Sequence, residues 1–373
     1  MIGVGTILLF LAVLSLLVLV HEIGHFVAAR KFGCKVEEFG IGFPPRAKAW
    51  KRKGIEYSLN WIPLGGFVRI KGESGEHKDE SDSFASKPAW KRFIILFAGV
   101  AMNFVFAALL LSVGFMIGLP SAIDENLPSG ARVSGEAVRI VTVLEGGPAA
   151  EAGLQRGDEV AAVNDRVFTN GEEARNYVKE LGETPVNLTV KRSDGYHDLE
   201  VVPGYLEELE GVGIGVGFLT TGFVRFAPHL AVWHGISTTV LFTKEVAVAF
   251  VLILSNLVTG QGVAEEISGP VGIAVMTGEV ARLGISYLIQ FAAILSINLA
   301  ILNIFPFPAL DGGRIVFLLF EKIKGKPVSE RVEGLVHSLG FLFLMGLVVL
   351  ITYRDFVKFS DEIWGAIKGV FGV

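Results

Sequence analysis

Long stretches without a charged side chain constrain this 373-residue chain more than any other feature. A helix needs about 20 apolar residues to cross the hydrocarbon core of a bilayer. Runs of that length cover 1–28 (three polar side chains near its end aside), 93–118, 283–310 and 334–353. The chain is 51% hydrophobic and 19% charged, which is too apolar for an ordinary soluble protein. These runs predict a polytopic α-helical membrane protein with four transmembrane helices.

The first run ends in the motif His21-Glu22-Ile23-Gly24-His25. Histidines at i and i+4 face the same way on a helix, so two imidazoles placed in this way can bind one Zn²⁺. The glutamate beside the first histidine can take a proton from the attacking water. In a soluble protein this motif is weak evidence, but ionisable groups at membrane depth are costly and usually functional. The pattern therefore indicates a catalytic zinc site with Glu22 as the general base.

A catalytic zinc needs a third protein ligand, and a carboxylate follows the third run at Asp311. Pro306 and Pro308 cannot continue a regular helix, so the span is expected to unwind just before Asp311. The alternative is that Asp311 caps a helix that begins at Gly312. The His pair on the same membrane face favours the ligand.

Three carboxamides lie in apolar spans. Asn298 and Asn303 are equally consistent with hydrogen bonds between helices and with a donor to an oxyanion, whereas Asn103 favours packing. The other histidines, His337 among them, lack ligand spacing and are expected at the surface or at interfaces. The lone Cys34 excludes an internal disulfide.

Charge differs between the two longest loops. Segment 29–92 carries 14 Lys and Arg against 8 Asp and Glu, whereas 119–228 carries 9 against 18. By the positive-inside rule the first loop is cytoplasmic and the second extracytoplasmic. A further apolar stretch, 226–264, is divided by Lys244 and Glu245. If it crossed the membrane, Asp311 would be carried away from the histidines, so we expect an amphipathic helix at the outer surface.

The loops contain two structured regions. In the acidic loop, 160–163 and 186–190 resemble strands, 171–181 a short helix and Asp194-Gly195 a hairpin turn. In the basic loop, apolar residues alternate with other residues from 55 onwards, and Pro63-Leu64-Gly65-Gly66 then leads into the final residues of 55–70. This pattern predicts a β-hairpin beside the membrane, on the side of the metal site. The predicted organisation is: first transmembrane helix with the zinc motif 1–30, cytoplasmic-side loop with the β-hairpin 31–92, second helix 93–118, PDZ-like α+β domain 125–206, extracytoplasmic amphipathic linker 207–282, third helix 283–310, cytoplasmic loop 311–333, fourth helix 334–353 and C-terminal tail 354–373.

These motifs resemble the site-2 protease family of intramembrane zinc metalloproteases, in particular the bacterial sigma-E-regulator protease branch. The resemblance covers nearly the whole chain. Two departures are Ala98-Gly99-Val100, where the family has Ala-Gly-Pro, and room for one PDZ-like domain where the closest members have two. The motifs that carry it are His21-Glu-Ile-Gly-His25, Gly40-Ile-Gly-Phe-Pro44, Pro63-Leu-Gly-Gly-Phe-Val68, Phe84-Ala-Ser-Lys-Pro-Ala-Trp-Lys-Arg-Phe93, Ala152-Gly-Leu-Gln-Arg-Gly-Asp158, Ser268-Gly-Pro-Val-Gly-Ile273, Asn303-Ile-Phe-Pro-Phe-Pro-Ala-Leu-Asp311-Gly-Gly313 and Glu321-Lys-Ile-Lys-Gly-Lys-Pro-Val-Ser-Glu-Arg331.

The resemblance implies roles for several residues. It makes His21, His25 and Asp311 the zinc ligands and Glu22 the catalytic base. It implies that Asn298 and Asn303 position the substrate or stabilise the oxyanion. It also implies that Gly65, Gly66, Phe67 and Val68 pair with an extended substrate.

The same resemblance implies a location and partners. The protein would lie in the bacterial cytoplasmic membrane with its PDZ-like domain outside, where it would cut single-pass membrane proteins such as anti-sigma-factor-like regulators, and signal-peptide remnants. The PDZ-like domain would bind a peptide or a C-terminus, and no nucleic acid is expected. Two other functions fit the residues: a non-catalytic membrane PDZ scaffold, and a membrane-anchored metalloprotease that acts on soluble proteins.

Overall fold

A computed structural model describes residues 3–124, 127–144, 146–192, 194–206, 211–260, 268–326 and 328–360. The chain divides into two compact units. One unit comprises Met1–Val113 and Val232–Val373, and the other comprises Gly114–Ala231. Most of the predicted C-terminal tail, 361–373, and part of the predicted linker lie outside the described residues.

The first unit is built mainly from helices. Five helices in the described residues are long and apolar enough to cross a membrane, four of them at the predicted spans and one within 226–264. The two remaining helices of this unit are shorter. The helices are α1 (Val4–Lys31), α2 (Ala89–Ile117), α5 (Pro228–Thr259), α6 (Pro270–Leu283), α7 (Ile285–Ile304), α8 (Asp311–Lys324) and α9 (Glu330–Lys358).

Helices α1 and α2 run antiparallel, and α7 runs parallel to α1. His21 lies beside Asn103 and His25 beside the carbonyl of Ile95, so position increases along α1 as it decreases along α2. The hydroxyl of Ser296 in α7 donates to the carbonyl oxygen of Asn103 at 2.9 Å. Because α6 meets the start of α1 where Gly278 approaches Thr6, α7 then follows α1 towards its C-terminal end.

Helix α5 is placed differently from the sequence-based expectation. Helices α1, α2 and α7 form a bundle, and Gly235 of α5 lies against the backbone of Ser112 near the C-terminal end of α2. The Phe250 ring lies 5.1 Å from the ring of Phe305, the residue that follows α7 at the opposite end of this bundle. At 1.5 Å per residue the intervening turns span about 22 Å. The helix therefore runs along the bundle rather than across its outer end.

This placement leaves Asp311 beside the histidines. The sequence had instead predicted that a fifth helix crossing the membrane would carry Asp311 away from them. The N–H groups of Gly269 and Gly272, at the start of α6, donate to the Asp355 carboxylate at 3.2 and 2.8 Å. Asp355 lies near the end of α9, on the side of the bundle where α1 begins. Helix α7 therefore still starts on that side and carries the chain towards the two histidines.

Two long strands, β1 (Val36–Arg52) and β2 (Ile55–Ile70), fold back on each other after α1. Phe39 pairs with both Tyr57 and Val68, and Gly40 with both Ser58 and Phe67. The two arms of the hairpin predicted at 55–70 thus pair with opposite edges of β1 instead of with each other. The 66–70 arm forms one edge of the resulting sheet.

The second unit contains a six-stranded antiparallel sheet in the order β3-β10-β4-β5-β6-β7 and a separate pair β8-β9. The predicted strands, the helix 171–181 and the hairpin between β6 and β7 are confirmed. The sheet extends beyond the predicted limits of 125–206, because strands on both sides of that range join it. The elements are β3 (Leu119–Ala122), β4 (Arg132–Val143), α3 (Pro148–Glu151), β5 (Glu159–Val163), α4 (Gly171–Glu180), β6 (Val186–Arg192), β7 (Gly195–Val201), β8 (Gly204–Leu206), β9 (Gly211–Gly213) and β10 (Val216–Arg225).

The core of this unit explains its alternating strands. Buried aliphatic side chains such as Val138, Val160, Leu188 and Val190 come from alternate positions of β4, β5 and β6 and pack against α4. Asn170 caps α4, since its side-chain oxygen accepts the N–H of Glu172 at 2.7 Å. Sequence periodicity therefore predicted an α+β domain here for the right physical reason.

Candidate metal centre

Two side chains of α1 and one from the distant helix α8 meet where α1, α2 and α8 converge. The Nε2 atoms of His21 and His25 are 3.1 Å apart. Each lies close to Oδ2 of Asp311, at 3.0 Å for His21 and 3.2 Å for His25. Both histidines are over 90% buried. This is the one group of three or more potential metal ligands found in the described residues.

Asp311 reaches this position because α7 ends early. The helix stops at Ile304, and residues 305–310 are not helical, as Pro306 and Pro308 predicted. Helix α8 then begins at Asp311 itself, with Leu310 as its N-cap. Asp311 is therefore in the first turn, where a helix favours negative charge, and the alternative role as the capping residue is not what the structure shows.

Hydrogen bonding defines the state of His25. Its Nδ1 lies 2.8 Å from the carbonyl oxygen of Ile95 in α2. A carbonyl oxygen can only accept, so Nδ1 carries a proton and a neutral ring presents the lone pair of Nε2 to the other two groups. Such a second hydrogen bond is typical of a metal-binding histidine, because it sets the tautomer and the ring orientation.

The three facing atoms fit a divalent cation. When both imidazole rings are neutral, the three atoms present lone pairs to one another. Oδ2 of Asp311 is buried without a hydrogen-bond partner in the described part of the protein. Either a cation between these atoms or additional protons on the rings must offset this repulsion. Tetrahedral zinc ligands lie about 3.4 Å apart, close to the 3.0, 3.1 and 3.2 Å found here.

Asn103 supports His21 from the second helix. Its amide nitrogen is 3.3 Å from Nδ1 of His21, and its buried Oδ1 has no partner among the described residues. With the amide N and O exchanged by a rotation of the side-chain amide, Oδ1 would accept from Nδ1–H. His21 would then also present a lone pair at Nε2. Asn103 thus contacts the site, whereas the sequence favoured simple packing.

Close approach of α1 and α2 makes this arrangement possible. A Cβ added to Gly24 would lie 2.7 Å from the carbonyl carbon of Ala98. One added to Gly99 would lie 2.7 Å from Cε1 of His25 and 2.8 Å from Cε1 of His21. Ile95, Gly99 and Asn103 recur at every fourth position of α2, so they form one strip against the histidines.

The loop before Asp311 is held by α9. The N–H of Ala309 donates to Nδ1 of His337 at 2.8 Å, and Ala309 has a φ of 79°, which is strained for a residue with a Cβ. Gly340, one turn further along α9, lies against the backbone of Pro308. The sequence placed His337 at the surface or at an interface, since an acceptor for one backbone N–H leaves no spacing pattern.

Two ion pairs hold α8 against the rest of the unit. Arg314, one turn beyond Asp311, pairs with Glu73 in the segment after β2. Glu321 pairs with Arg92 at the start of α2, through two contacts of 2.6 and 3.0 Å. Bidentate arginine–carboxylate pairs restrain geometry well, so these contacts fix the orientation of the helix that carries Asp311.

Glu22 contacts the sheet. Its Oε2 accepts the N–H of Val68 at 3.0 Å, while the hydroxyl of Ser15 donates to the carbonyl of Pro63 at 2.7 Å and accepts the N–H of Gly65 at 3.2 Å. Ser15 and Glu22 are seven residues apart on one face of α1. The strand segment 63–68 therefore lies along α1 up to Glu22.

Asn298 and Asn303 both lie in α7, half-buried. In the described part of the chain neither side chain forms a hydrogen bond, so both amides keep their donors and acceptors. Asn303 immediately precedes the non-helical segment that leads to Asp311.

Comparisons with known proteins identify the family. A family model described as Peptidase family M50 matches residues 9–347. The chain belongs to peptidase family M50, the site-2 proteases. It is 30% identical to the regulator of sigma-W protease RasP of Bacillus subtilis, over 94% of this chain and 98% of that protein. It is 33% identical to the putative zinc metalloprotease CPE1693 of Clostridium perfringens, over 92% and 96%.

Family membership makes the chain a zinc metalloprotease of the site-2 type, so the alternative function as a non-catalytic scaffold is wrong.

The crystal structure of a PDZ domain from a Listeria monocytogenes SdrC-like protein aligns with 23% of this chain and 92% of that chain, at 20% identity and a TM-score of 0.21. That TM-score is too low to classify the inserted domain, and its PDZ-like character stays a prediction.

Proposed function

We propose that this protein is an intramembrane endopeptidase in which His21, His25 and Asp311 hold a zinc ion and Glu22 is the catalytic base. The observation that carries the proposal is the convergence of the three ligand atoms within 3.2 Å of one another. They meet in a buried position, and the two histidines lie in a helix that carries no charged residue between Val4 and Val20. Groups so placed are costly unless they bind something.

Zinc, when bound there, supplies a Lewis acid that activates water and polarises the scissile carbonyl. The protein supplies the rest. The Ile95 carbonyl and Asn103 orient the two imidazoles. Oε2 of Glu22 already accepts a backbone N–H, so Oε1 is the atom free to take a proton from the attacking water and to pass it to the leaving amine.

The edge of β2 offers a place for an extended substrate. A helical substrate hides its peptide bonds in its own hydrogen bonds, so its scissile segment must unwind before attack. The 66–70 arm has β1 on one side, and the Val68 N–H is directed at Glu22 rather than at β1. Addition of a substrate strand along Gly65, Gly66, Phe67 and Val68 would place its backbone beside the catalytic base.

Asn298 and Asn303 fit a role in substrate binding. Both carry unpaired amides in an apolar helix, where an unsatisfied polar group is unfavourable unless a ligand completes it. We assign them to hydrogen bonds with the substrate backbone or with the oxyanion that forms during attack.

The substrate class follows from the depth of the site and from the relatives. We propose single-pass membrane proteins, cut near the cytoplasmic face of a bacterial cytoplasmic membrane by a multi-pass enzyme whose inserted domain is extracytoplasmic. RasP of Bacillus subtilis is named as a regulator of sigma-W protease, which supports an anti-sigma-factor-like regulator as one substrate. Signal-peptide remnants are likewise single apolar segments in the membrane, so we propose them as a second class of substrate. A peptide or C-terminus is the expected ligand of the inserted domain.

The test compares variants of the purified protein in lipid vesicles with a panel of single-pass helices. Glu22→Gln should keep zinc at one per chain while cleavage falls by at least ~10²-fold, because only the base is lost. Asp311→Ala should lose zinc, since two histidines alone bind weakly. Glu37→Gln, an exposed Glu on β1, is the matched control and should cleave normally.

Two outcomes would contradict the proposal. Near-normal cleavage by Glu22→Gln would show that this carboxylate is not the base. Cleavage of soluble unfolded proteins in preference to membrane helices would instead favour a membrane-anchored protease with soluble substrates.

A further inference from the structure

A cleft outside the metal centre collects positive charge next to an aromatic pair. It has a volume of about 360 Å³ and is lined by Arg30, Trp50, Arg52, Lys53 and Tyr57. The rings of Trp50 and Tyr57 stack, with centroids 6.0 Å apart and planes inclined by 14°. Three cations thus surround a flat apolar platform.

No carboxylate neutralises this cleft within the described residues. The basic side chains of Arg30, Arg52 and Lys53 form no ion pair there and are exposed. Glu56, which precedes Tyr57 in β2, is already paired with Arg46 at 2.5 Å. The guanidinium of Arg30 lies over the ring of Phe26, 5.6 Å from its centroid, which leaves its charge in place. Like charges held together without a neutralising carboxylate repel one another, so the cleft is suited to an anion that bridges them.

The position of the cleft indicates where that anion is attached. Arg30 lies in the last turn of α1, a 28-residue helix long and apolar enough to span a bilayer. Basic residues at the end of a span lie at the depth of the lipid head groups, as tryptophan and tyrosine do. On the same sheet Trp61 is 72% exposed and Phe43 45% exposed, which is unfavourable in water and favourable against acyl chains.

We propose that this cleft binds the phosphate-bearing head group of an anionic glycerophospholipid, with the guanidinium groups of Arg30 and Arg52 and the ammonium of Lys53 on the phosphate. The stacked rings of Trp50 and Tyr57 lie beneath the glycerol backbone. Such a bound lipid ties the sheet to the end of α1, the helix that carries His21, Glu22 and His25. The site is independent of the zinc chemistry.

The experiment measures binding of fluorescently labelled phosphatidylglycerol to the full chain in neutral detergent micelles, with labelled phosphatidylcholine as the zwitterionic reference. The triple variant Arg30→Gln/Arg52→Gln/Lys53→Gln should bind phosphatidylglycerol at least tenfold more weakly and phosphatidylcholine unchanged. Arg52→Gln alone should show a loss of several-fold, which keeps the test valid should the triple variant fold poorly.

A matched control separates a site from a general charge effect. The triple variant Lys322→Gln/Lys324→Gln/Lys326→Gln removes the same charge from exposed positions at and after the end of α8, and should bind phosphatidylglycerol within twofold of wild type. Inorganic phosphate and glycerol phosphate are added as competitors.

Three results would overturn the proposal. They are unchanged binding by both cleft variants, an equal loss in the α8 control, and displacement of the labelled lipid by millimolar inorganic phosphate, which would identify free phosphate as the ligand.

Discussion

Replacing Gly99 with alanine tests whether the histidines are held as the structure indicates. The new Cβ would lie 2.7 Å from Cε1 of His25 and 2.8 Å from Cε1 of His21, where ordinary contact begins at 3.4 Å. Because Nε2 of His25 lies closer still, the His21 ring must retreat by roughly 0.6 Å and the His25 ring by more than roughly 0.7 Å. Metal–ligand distances tolerate only about ±0.2 Å, so the ligand set cannot survive unchanged.

The expected magnitude follows from that displacement. Disturbing groups that orient ligands typically weakens metal affinity or activity by about 10- to 100-fold, and misplacement near 1 Å can reduce turnover by about 10². We expect Gly99→Ala to fall in this range for both zinc affinity and cleavage. Folding should suffer less, because alanine stabilises a helix interior by about 0.5–1 kcal/mol relative to glycine, against about 1–3 kcal/mol for overpacking.

The assay is zinc competition with a colorimetric chelator, followed by cleavage of a single-pass helix. Gly346→Ala in α9 is the matched control, since a Cβ there meets nothing within 4 Å, and it should leave zinc affinity and cleavage unaltered. If Gly99→Ala binds zinc as tightly as wild type and cleaves at the same rate, the close packing of α2 on the two histidines is refuted.

Three further predictions concern the loop, the strand and the topology. His337→Phe leaves the half-buried N–H of Ala309 without an acceptor, which costs up to about 1–3 kcal/mol, so zinc retention should drop several-fold. His337→Asn, with an acceptor oxygen, should restore zinc retention, and an equal loss in both variants would exclude this role. Val68→Pro removes the N–H that Glu22 accepts and should reduce cleavage but not zinc content, with Val68→Ala as the control; normal cleavage by the proline variant would exclude a function for that N–H. In a Cys34→Ser background, the new thiol of Asp165→Cys should be labelled from outside intact cells, and that of Lys324→Cys only after permeabilisation. Labelling of the Lys324→Cys variant in intact cells would reverse the proposed sidedness.

Local chemistry determined the parts of this protein that its sequence revealed. The spacing of His21 and His25 follows from the helical repeat, the end of α7 from Pro306 and Pro308, and the α+β insert from alternation and turn residues. Each of these depends on neighbours that are close in the sequence, so it can be deduced without the fold.

Tertiary structure decided the features that depend on distant segments. The sequence could not show that the two arms of 55–70 pair with opposite edges of β1, because either arm alternates equally well with any partner strand. Nor could it show that α5 runs along the bundle, since Lys244 and Glu245 divide the stretch and a fifth crossing was expected to carry Asp311 away from the histidines. Asn103 and His337 each support the site through one long-range hydrogen bond, and such a bond is visible only when two helices far apart in the chain have packed.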